Sequence, residues 1–138
     1  MAGKRIPLNP MWKRHQEVKF NGTSYITQRG AEAIYTPEGK EQVKANIRYY
    51  MDNVQILKRA LTELGLRVAG GEDAPYLWVQ APNGMSSWKF FDKLLYEAHI
   101  IGTPGIGFGP SGEGYMRFTG FGKKEDCKEA IYRLRRCL

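Results

Sequence analysis

The stretch Thr103-Pro-Gly-Ile-Gly-Phe-Gly-Pro-Ser-Gly-Glu-Gly-Tyr-Met-Arg117-Phe118 joins a glycine-rich loop to a short segment of alternating character. Within it, Gly107-Phe-Gly109-Pro-Ser-Gly112 matches the G-x-G-x-x-G pattern of dinucleotide sites letter for letter. That pattern needs a helix directly after it, so that a pyrophosphate meets the helix N-terminus. Here Pro110 interrupts the pattern, and Tyr115 to Thr119 alternates as a strand does. The stretch therefore predicts a connection between two strands and not a nucleotide-binding fold.

A long helix is predicted upstream of this stretch. Thr36-Pro37-Glu38 fits an N-cap, a proline at the first helical position and an acid at the positive end of the helix dipole. One apolar seam then runs until Gly65, through Val43, Ile47, Tyr50, Val54, Leu57, Leu61 and Leu64. The seam stops after about four heptads and lacks regular flanking charges, so a helix that bridges two domains or packs across a sheet is favoured over a coiled coil.

Short strands and helices are predicted around these two segments. The predicted strands are Leu66 to Ala69, Tyr76 to Gln80, Ile100-Ile101 and Tyr115 to Thr119. A helix capped by Ser86 or Ser87 is expected to bury Trp88, Phe91, Leu95 and Ala98. The last helix is expected to bury Cys127, Ala130, Ile131, Leu134 and Leu138. The fold class predicted is α+β, with helices covering a small sheet.

The N-terminal part gives weaker signals. Residues Met1 to Phe20 show no clean period and are predicted to be irregular, or a piece of a larger unit. Asn21-Gly-Thr-Ser offers capping groups for a helix that continues to Tyr35, although Gly30 destabilises it. We therefore expect a less regular region before the long helix.

Composition excludes several classes of protein. With 138 residues and 42% hydrophobic content the chain can bury a real core. It has neither a run of about 18 apolar residues nor the apolar core of a signal peptide, so a cytoplasmic location is expected. Cys127 and Cys137 lie in one predicted helix, roughly 15 Å apart, and are expected to be reduced. No cluster has the spacing of metal ligands.

The net charge of +7 raises the possibility of nucleic-acid binding. The basic residues form two separated clusters without interleaved aromatic residues, and solvated faces are the favoured interpretation. The clusters are Lys4, Arg5, Lys13 and Arg14 at one end and Arg133, Arg135 and Arg136 at the other. No sequence signature of a nucleophilic triad or of a phosphate-binding loop is present.

Arg117 is the strongest candidate for a binding residue. Arginine is almost never buried without a partner, and its planar fork pairs best with a carboxylate or phosphate. Set between Met116 and Phe118 on a predicted strand, Arg117 is a candidate anion receptor. A structural salt bridge within the chain is the alternative, and the residues alone leave both open.

Five separated motifs resemble the LL-diaminopimelate aminotransferase family, and the resemblance covers nearly the whole chain. The motifs are Lys19-Phe-Asn21-Gly-Thr-Ser-Tyr, Tyr35-Thr-Pro-Glu-Gly-Lys40, Gly71-Glu-Asp-Ala-Pro-Tyr-Leu-Trp-Val79, Ser86-Ser-Trp-Lys-Phe-Phe91 and the glycine-rich stretch to Arg117. The departures are small: Ile106 stands where the family leads us to expect serine, and Ser111 where it leads us to expect glycine.

The resemblance implies a fold-type I, homodimeric transferase that uses pyridoxal 5'-phosphate, of which this chain matches only the C-terminal third. It implies that Arg117 binds the α-carboxylate of the amino-acid substrate and that Asn21, supplied by the neighbouring subunit, reaches the substrate and cofactor. The lysine that binds the cofactor covalently belongs to a Ser-x-x-Lys segment upstream, as do the phosphate-binding residues. The chain alone is therefore expected to be inactive.

The resemblance also implies a division of the chain and a reaction. Residues 1–36 would belong to the large cofactor-binding domain, 37–65 to a long connecting helix and 66–138 to the small C-terminal domain. The reaction would transfer an amino group between LL-diaminopimelate with 2-oxoglutarate and tetrahydrodipicolinate with glutamate, in lysine biosynthesis. Gly102 to Gly114 would lend freedom to domain closure. The alternative is a free-standing module that binds carboxylates or nucleic acid without catalysis.

Overall fold

The computed structural model describes residues 6–20 and 22–138 and contains two compact units, Met1–Val43 and Lys44–Leu138. The first unit holds helix α1 (Leu8–Lys19), helix α2 (Tyr25–Ala33) and the start of helix α3 (Pro37–Glu63). None of the described residues of this unit is buried. The second unit contains the hydrophobic core.

Helix α1 corrects, for Leu8–Lys19, the prediction that the segment up to Phe20 is irregular. The segment forms three turns of helix although no side chain caps it and none of its residues is buried. Its apolar residues Leu8, Met11, Trp12 and Val18 do lie at helical spacing, but Pro7 and Pro10 favoured an irregular segment, although proline is tolerated in the first turn of a helix. Lys13 and Glu17, four residues apart and 3.7 Å from each other, form a pair that supports the helix locally.

The capping groups predicted for the next two helices are confirmed. The Ser24 hydroxyl accepts a hydrogen bond from the Thr27 amide at the start of α2, and the Thr36 hydroxyl accepts one from the Gly39 amide at 3.0 Å. Helix α3 is buried only in its second half, where Val54, Leu57 and Leu61 lie in the core. Its predicted seam continues toward the N-terminus, but Val43 and Ile47 are exposed.

The second unit is built on a four-stranded antiparallel sheet. Its strands are β1 (Val68–Gly70), β2 (Tyr76–Gln80), β3 (Thr103–Pro104) and β4 (Tyr115–Thr119), in the spatial order β1-β2-β4-β3. Strands β2 and β4 have the predicted bounds. The prediction of a strand at Ile100-Ile101 is wrong, because pairing with β4 begins only at Thr103.

Helices cover one face of this sheet. The second half of α3, helix α4 (Ser87–Ala98) and helix α5 (Lys124–Cys137) pack against the alternate residues of β2 and β4 that point to one side. The core residues from the sheet are Leu77, Val79, Met116 and Phe118. The α+β fold with helices on a small sheet is confirmed.

The predicted inner faces of α4 and α5 need correction. In α4 the buried residues are Ser87, Phe90, Leu94 and Ala98, whereas Trp88 is 59% exposed. The sequence pattern favoured the large side chain of Trp88. Packing of α4 against α5 and the sheet instead buries the residues one position earlier, Ser87, Phe90 and Leu94. In α5 Cys127 and Leu134 are buried and Leu138 is exposed. Both cysteines are free, as predicted.

Candidate carboxylate-binding site

Opposite the helices, the sheet presents a second face of large side chains. The residues of β2 and β4 that alternate with the core positions lie here, among them Tyr76, Trp78, Tyr115 and Arg117. Trp78 and Arg117 are direct partners across the two strands. Because the core occupies one face only, this second face is where a ligand can reach the sheet.

Arg117 is half-buried on this face and its guanidinium contacts two aromatic rings. The guanidinium carbon lies 4.7 Å from the centre of the Tyr76 ring and 4.8 Å from that of Phe108. None of the ion pairs found among residues 6–20 and 22–138 includes Arg117. An arginine held in apolar contact without an internal carboxylate keeps its donors available for an external anion.

Arg117 is among the lining residues of two cavities. One cavity, of about 330 Å³, lies beside the turn between β1 and β2 and is also lined by Glu72, Asp73 and Tyr76. The other, of about 310 Å³, is lined by Ile101, Thr103 and residues of α5. Only the first cavity is also lined by Tyr76 and Trp78, so it is the one that offers space on the face of the sheet where the Arg117 side chain lies.

The acidic residues of the first cavity are not partners of Arg117. Glu72 forms an ion pair with Lys58, which also donates a hydrogen bond to the Gly70 carbonyl at 2.8 Å. The hydrogen bond from Lys58 lowers the pKa of Glu72 below its ordinary value of 4.5. Glu72 is thus paired with Lys58 and not with Arg117.

Tyr76 is held by a chain of contacts that begins in α3. Asn53, fully buried, donates from its side-chain amide to the Gly120 carbonyl at 3.2 Å and to the Gly122 carbonyl at 3.0 Å. The turn fixed in this way carries Phe121, whose ring meets the edge of Tyr76 at 5.5 Å. Phe121 also contacts Tyr50 of α3 at 5.0 Å. The ring of Tyr76 is thus supported by residues of α3 through Phe121.

Phe108 is carried by the glycine-rich loop, which is fastened at both ends of its tip. Gly105 and Gly112 approach so closely that a Cβ on either would collide with the backbone of the other. Ser87, fully buried, donates to the Gly112 carbonyl at 3.2 Å and accepts from the Tyr115 amide at 3.3 Å. Between these ends Phe108 is 53% exposed, and its ring meets the edge of Trp78 at 5.5 Å.

The loop also confirms the rejection of a dinucleotide site. Gly105–Phe108 and Pro110–Gly112 form short 3-10 turns, and the chain then enters β4. No helix follows the glycines, so a pyrophosphate would meet no helix N-terminus.

Asn21, the other predicted site residue, lies outside the described residues, and its predicted role stays a prediction. The aromatic residues Tyr76 and Phe108 were missed as parts of the site. Tyr76 lies within a predicted strand whose period of two would have placed it on the same side as Trp78. The position of Phe108 depends on the loop and carries no signal in the sequence.

Other kinds of site find less support. No group of three or more His, Cys, Asp or Glu residues that could hold a metal ion occurs in the described part of the chain. The basic cluster at the C-terminus is partly neutralised, since Arg133 pairs with Glu129 at 2.8 Å and Arg135 with Glu63 at 3.0 Å. Burial raises the pKa of the Cys127 thiol, which disfavours the nucleophilic thiolate. Within the described ranges, no helix is long and apolar enough to cross a membrane.

Sequence comparison identifies relatives over the whole chain. The LL-diaminopimelate aminotransferase of Phocaeicola vulgatus is 67% identical over 138 residues, which are all of this chain and 34% of the relative. The protein of the same name from Methanosphaera stadtmanae is 53% identical over 132 residues, or 96% of this chain and 32% of the relative. The chain spans about a third of the length of these curated relatives.

Solved structures and a family description also match the chain to aminotransferases. The L,L-diaminopimelate aminotransferase of Chlamydomonas reinhardtii superposes with a TM-score of 0.85 at 44% identity, over 94% of this chain and 32% of that one. An aromatic aminotransferase of Pyrococcus horikoshii superposes with a TM-score of 0.82 at 26% identity, over 94% and 35%. The family description "Aminotransferase class I and II" matches residues 12–134. On these grounds the chain belongs to the class I and II aminotransferase family.

Proposed function

We propose that this chain is the C-terminal part of an LL-diaminopimelate aminotransferase and supplies the arginine that binds the substrate α-carboxylate. The observation that carries the proposal is Arg117: half-buried, beside an open cavity and without an internal carboxylate among the described residues. Relatives of that name at 53% to 67% identity over nearly the whole chain support the choice of reaction. The reaction would exchange an amino group between LL-diaminopimelate and 2-oxoglutarate in cytoplasmic lysine biosynthesis.

The chemistry of Arg117 follows from its fork. Two parallel N–H donors of a guanidinium match the two oxygens of a carboxylate, which fixes both the position and the plane of the bound group. A substrate held at its carboxylate loses rotational freedom before it reacts, and such positioning lowers the entropic part of the barrier. Binding in a site from which water is excluded strengthens the ion pair further.

Class I and II aminotransferases depend on pyridoxal 5'-phosphate, which provides the electron sink of the reaction. Three lysines of the core unit form ion pairs within the chain: Lys58 with Glu72, Lys93 with Glu97 and Lys124 with Asp52. We assign the lysine that binds the cofactor to the remainder of a full-length enzyme, because the family resemblance implies that its Ser-x-x-Lys segment lies upstream of the motifs matched by this chain. In this proposal the present chain supplies Arg117 for the substrate carboxylate.

The predicted architecture belongs to the same proposal. Residues 1–36 would be part of the large domain, 37–65 the connecting helix and 66–138 the small domain, and Asn21 would reach the site of the partner in a homodimer. Exposed apolar side chains in the first unit, such as Trp12 and Ile26, support this, because they offer surface for further protein to cover. Closure of the small domain would bring Arg117 to the substrate.

A chimera tests the proposal. This chain replaces the matching 138 residues of the Phocaeicola vulgatus enzyme, and the purified dimer is assayed with LL-diaminopimelate and 2-oxoglutarate. We expect the chimera to have activity within about tenfold of the parent enzyme. Arg117→Gln is expected to lower kcat/KM by about 100-fold or more, because the substrate carboxylate then loses its charged, two-donor partner.

Arg133→Gln, at an exposed ion pair of α5, is the matched control and is expected to retain activity. A chimera that folds and loads the cofactor but does not turn over LL-diaminopimelate would contradict the reaction. An Arg117→Gln variant as active as the chimera would contradict the role of the arginine. Salt-dependent binding of RNA or DNA by the chain, without binding of amino acids, would favour the binding-module alternative.

A further inference from the structure

The two rings that contact Arg117 are mounted on different parts of the fold. Tyr76 stands on a central strand and is supported by Phe121, which Asn53 and Tyr50 of α3 hold in place. Phe108 stands on the tip of the glycine-rich loop, between the fastened positions Gly105 and Gly112. One support therefore belongs to the rigid core and the other to a loop.

Both contacts are of the kind that arginine favours. A guanidinium stacks through its plane on aromatic faces, and this contact leaves the donors at its edge free for a planar anion. The contacts also exclude water from the guanidinium, which makes an ion pair stronger than it would be at an open surface. In the described part of the chain, no hydrogen bond competes for the donors of Arg117.

We propose that Tyr76 and Phe108 are positioning residues that hold the guanidinium of Arg117 in the orientation in which it binds the substrate carboxylate. The inference rests on the proposed role of Arg117 and extends it. Neither ring touches the substrate in this proposal. Each acts through the arginine, Tyr76 as the fixed support and Phe108 as the support carried by the loop.

The experiment uses the same full-length chimera and measures the half-reaction with glutamate by the absorbance change of the cofactor. Phe108→Leu and Tyr76→Leu remove one ring each, and we expect kcat/KM for glutamate to fall about fivefold to tenfold, mainly through KM. Phe108→Tyr and Tyr76→Phe keep the ring and are expected to restore the value to within about twofold. Trp88→Leu removes an exposed ring of α4 away from the site and serves as the control.

A double-mutant cycle separates positioning from a structural role. In an Arg117→Lys background, which lacks the planar fork, the loss of either ring is expected to change kcat/KM by less than about twofold. Equal losses in the two backgrounds, or no loss in the Arg117 background, would overturn the inference. Since Phe108 is exposed on a loop, its variants leave the core intact and keep the test valid even if Tyr76→Leu fails to fold.

The outcome for the arginine itself is distinguishable from this. If Arg117→Lys does not lower kcat/KM for glutamate, the proposed function of Arg117 fails and the rings have nothing to position. If Arg117→Lys lowers it and the ring variants do not, the proposed function stands and only the inference about Tyr76 and Phe108 fails.

Discussion

The two units of the chain differ in how they are stabilised. In Lys44–Leu138 three helices and a sheet enclose a continuous core that includes Leu61, Phe90 and Met116, all fully buried. In Met1–Val43 the helices expose their large apolar side chains, and none of the described residues is buried. Both units contain capped helices, so local signals do not account for the difference.

What separates them is tertiary burial. Isolated helices of about ten residues are marginal in water, because most helical stability in proteins comes from packing an apolar face. The second unit supplies that packing from its own residues. The described residues of the first unit bury none of their apolar side chains against one another.

The largest expected effect is on amide hydrogen exchange. In the 138-residue chain the amides of β2 and β4 are expected to exchange at least about a thousandfold more slowly than those of α1 and α2, because the core unit opens only on global unfolding. Exchange measured by NMR, residue by residue, checks this. Protection in α1 equal to that in β4 would show that the first unit is stable without further protein.

A pair of substitutions probes the same difference through stability. Leu61→Ala in the core is expected to cost about 2–5 kcal/mol, whereas Ile26→Ala, at a residue 84% exposed in α2, is expected to change stability by less than about 0.5 kcal/mol. Urea denaturation of the chain followed by tryptophan fluorescence measures both. Equal costs would mean that Ile26 is buried in solution.

A smaller effect concerns pH dependence at the β1–β2 turn of the core unit. The pKa of Glu72 is lowered by the hydrogen bond from Lys58, so the ionised carboxylate stabilises the folded state. This contribution is present above the ordinary pKa of 4.5 and is lost as the pH falls through the lowered value. Titration of Glu72 by NMR is expected to give a pKa below 4.5 in the parent chain.

Lys58→Met is expected to move the pKa of Glu72 upward toward its ordinary value, and Lys58→Arg is expected to keep it low. The Lys58→Met variant should also lose less stability on acidification than the parent chain does. A Glu72 pKa that is the same with lysine and methionine at this position would contradict the assigned cause.

Much of the core unit could be predicted from the sequence because its signals are local. Alternation bounded by turn residues located β2 and β4, and Thr36-Pro37 located the start of α3. The face of α4 was misplaced because Phe90 and Trp88 are both plausible core residues, and only tertiary packing decides between them. Helix α1 carries Leu8, Met11, Trp12 and Val18 at helical spacing, but the prolines Pro7 and Pro10 at its start favoured an irregular segment.

Of the candidate site, only the part that depends on a local signal could be predicted from the sequence. The chemistry of Arg117 is a property of one residue type on a strand, which a sequence displays. Its aromatic contacts join residues 76, 108 and 117, and the position of Phe108 depends on how the loop returns over the sheet. Such a juxtaposition follows from the fold and not from spacing along the chain.

The close approach of Gly105 and Gly112 has a consequence for engineering. Since the backbone is clamped at these two points, Ile106 to Ser111 form an interchangeable cassette whose ends stay in register with β4. A library confined to this cassette would vary the residues around Phe108, and through them the surroundings of Arg117, while strand β4 keeps its alignment.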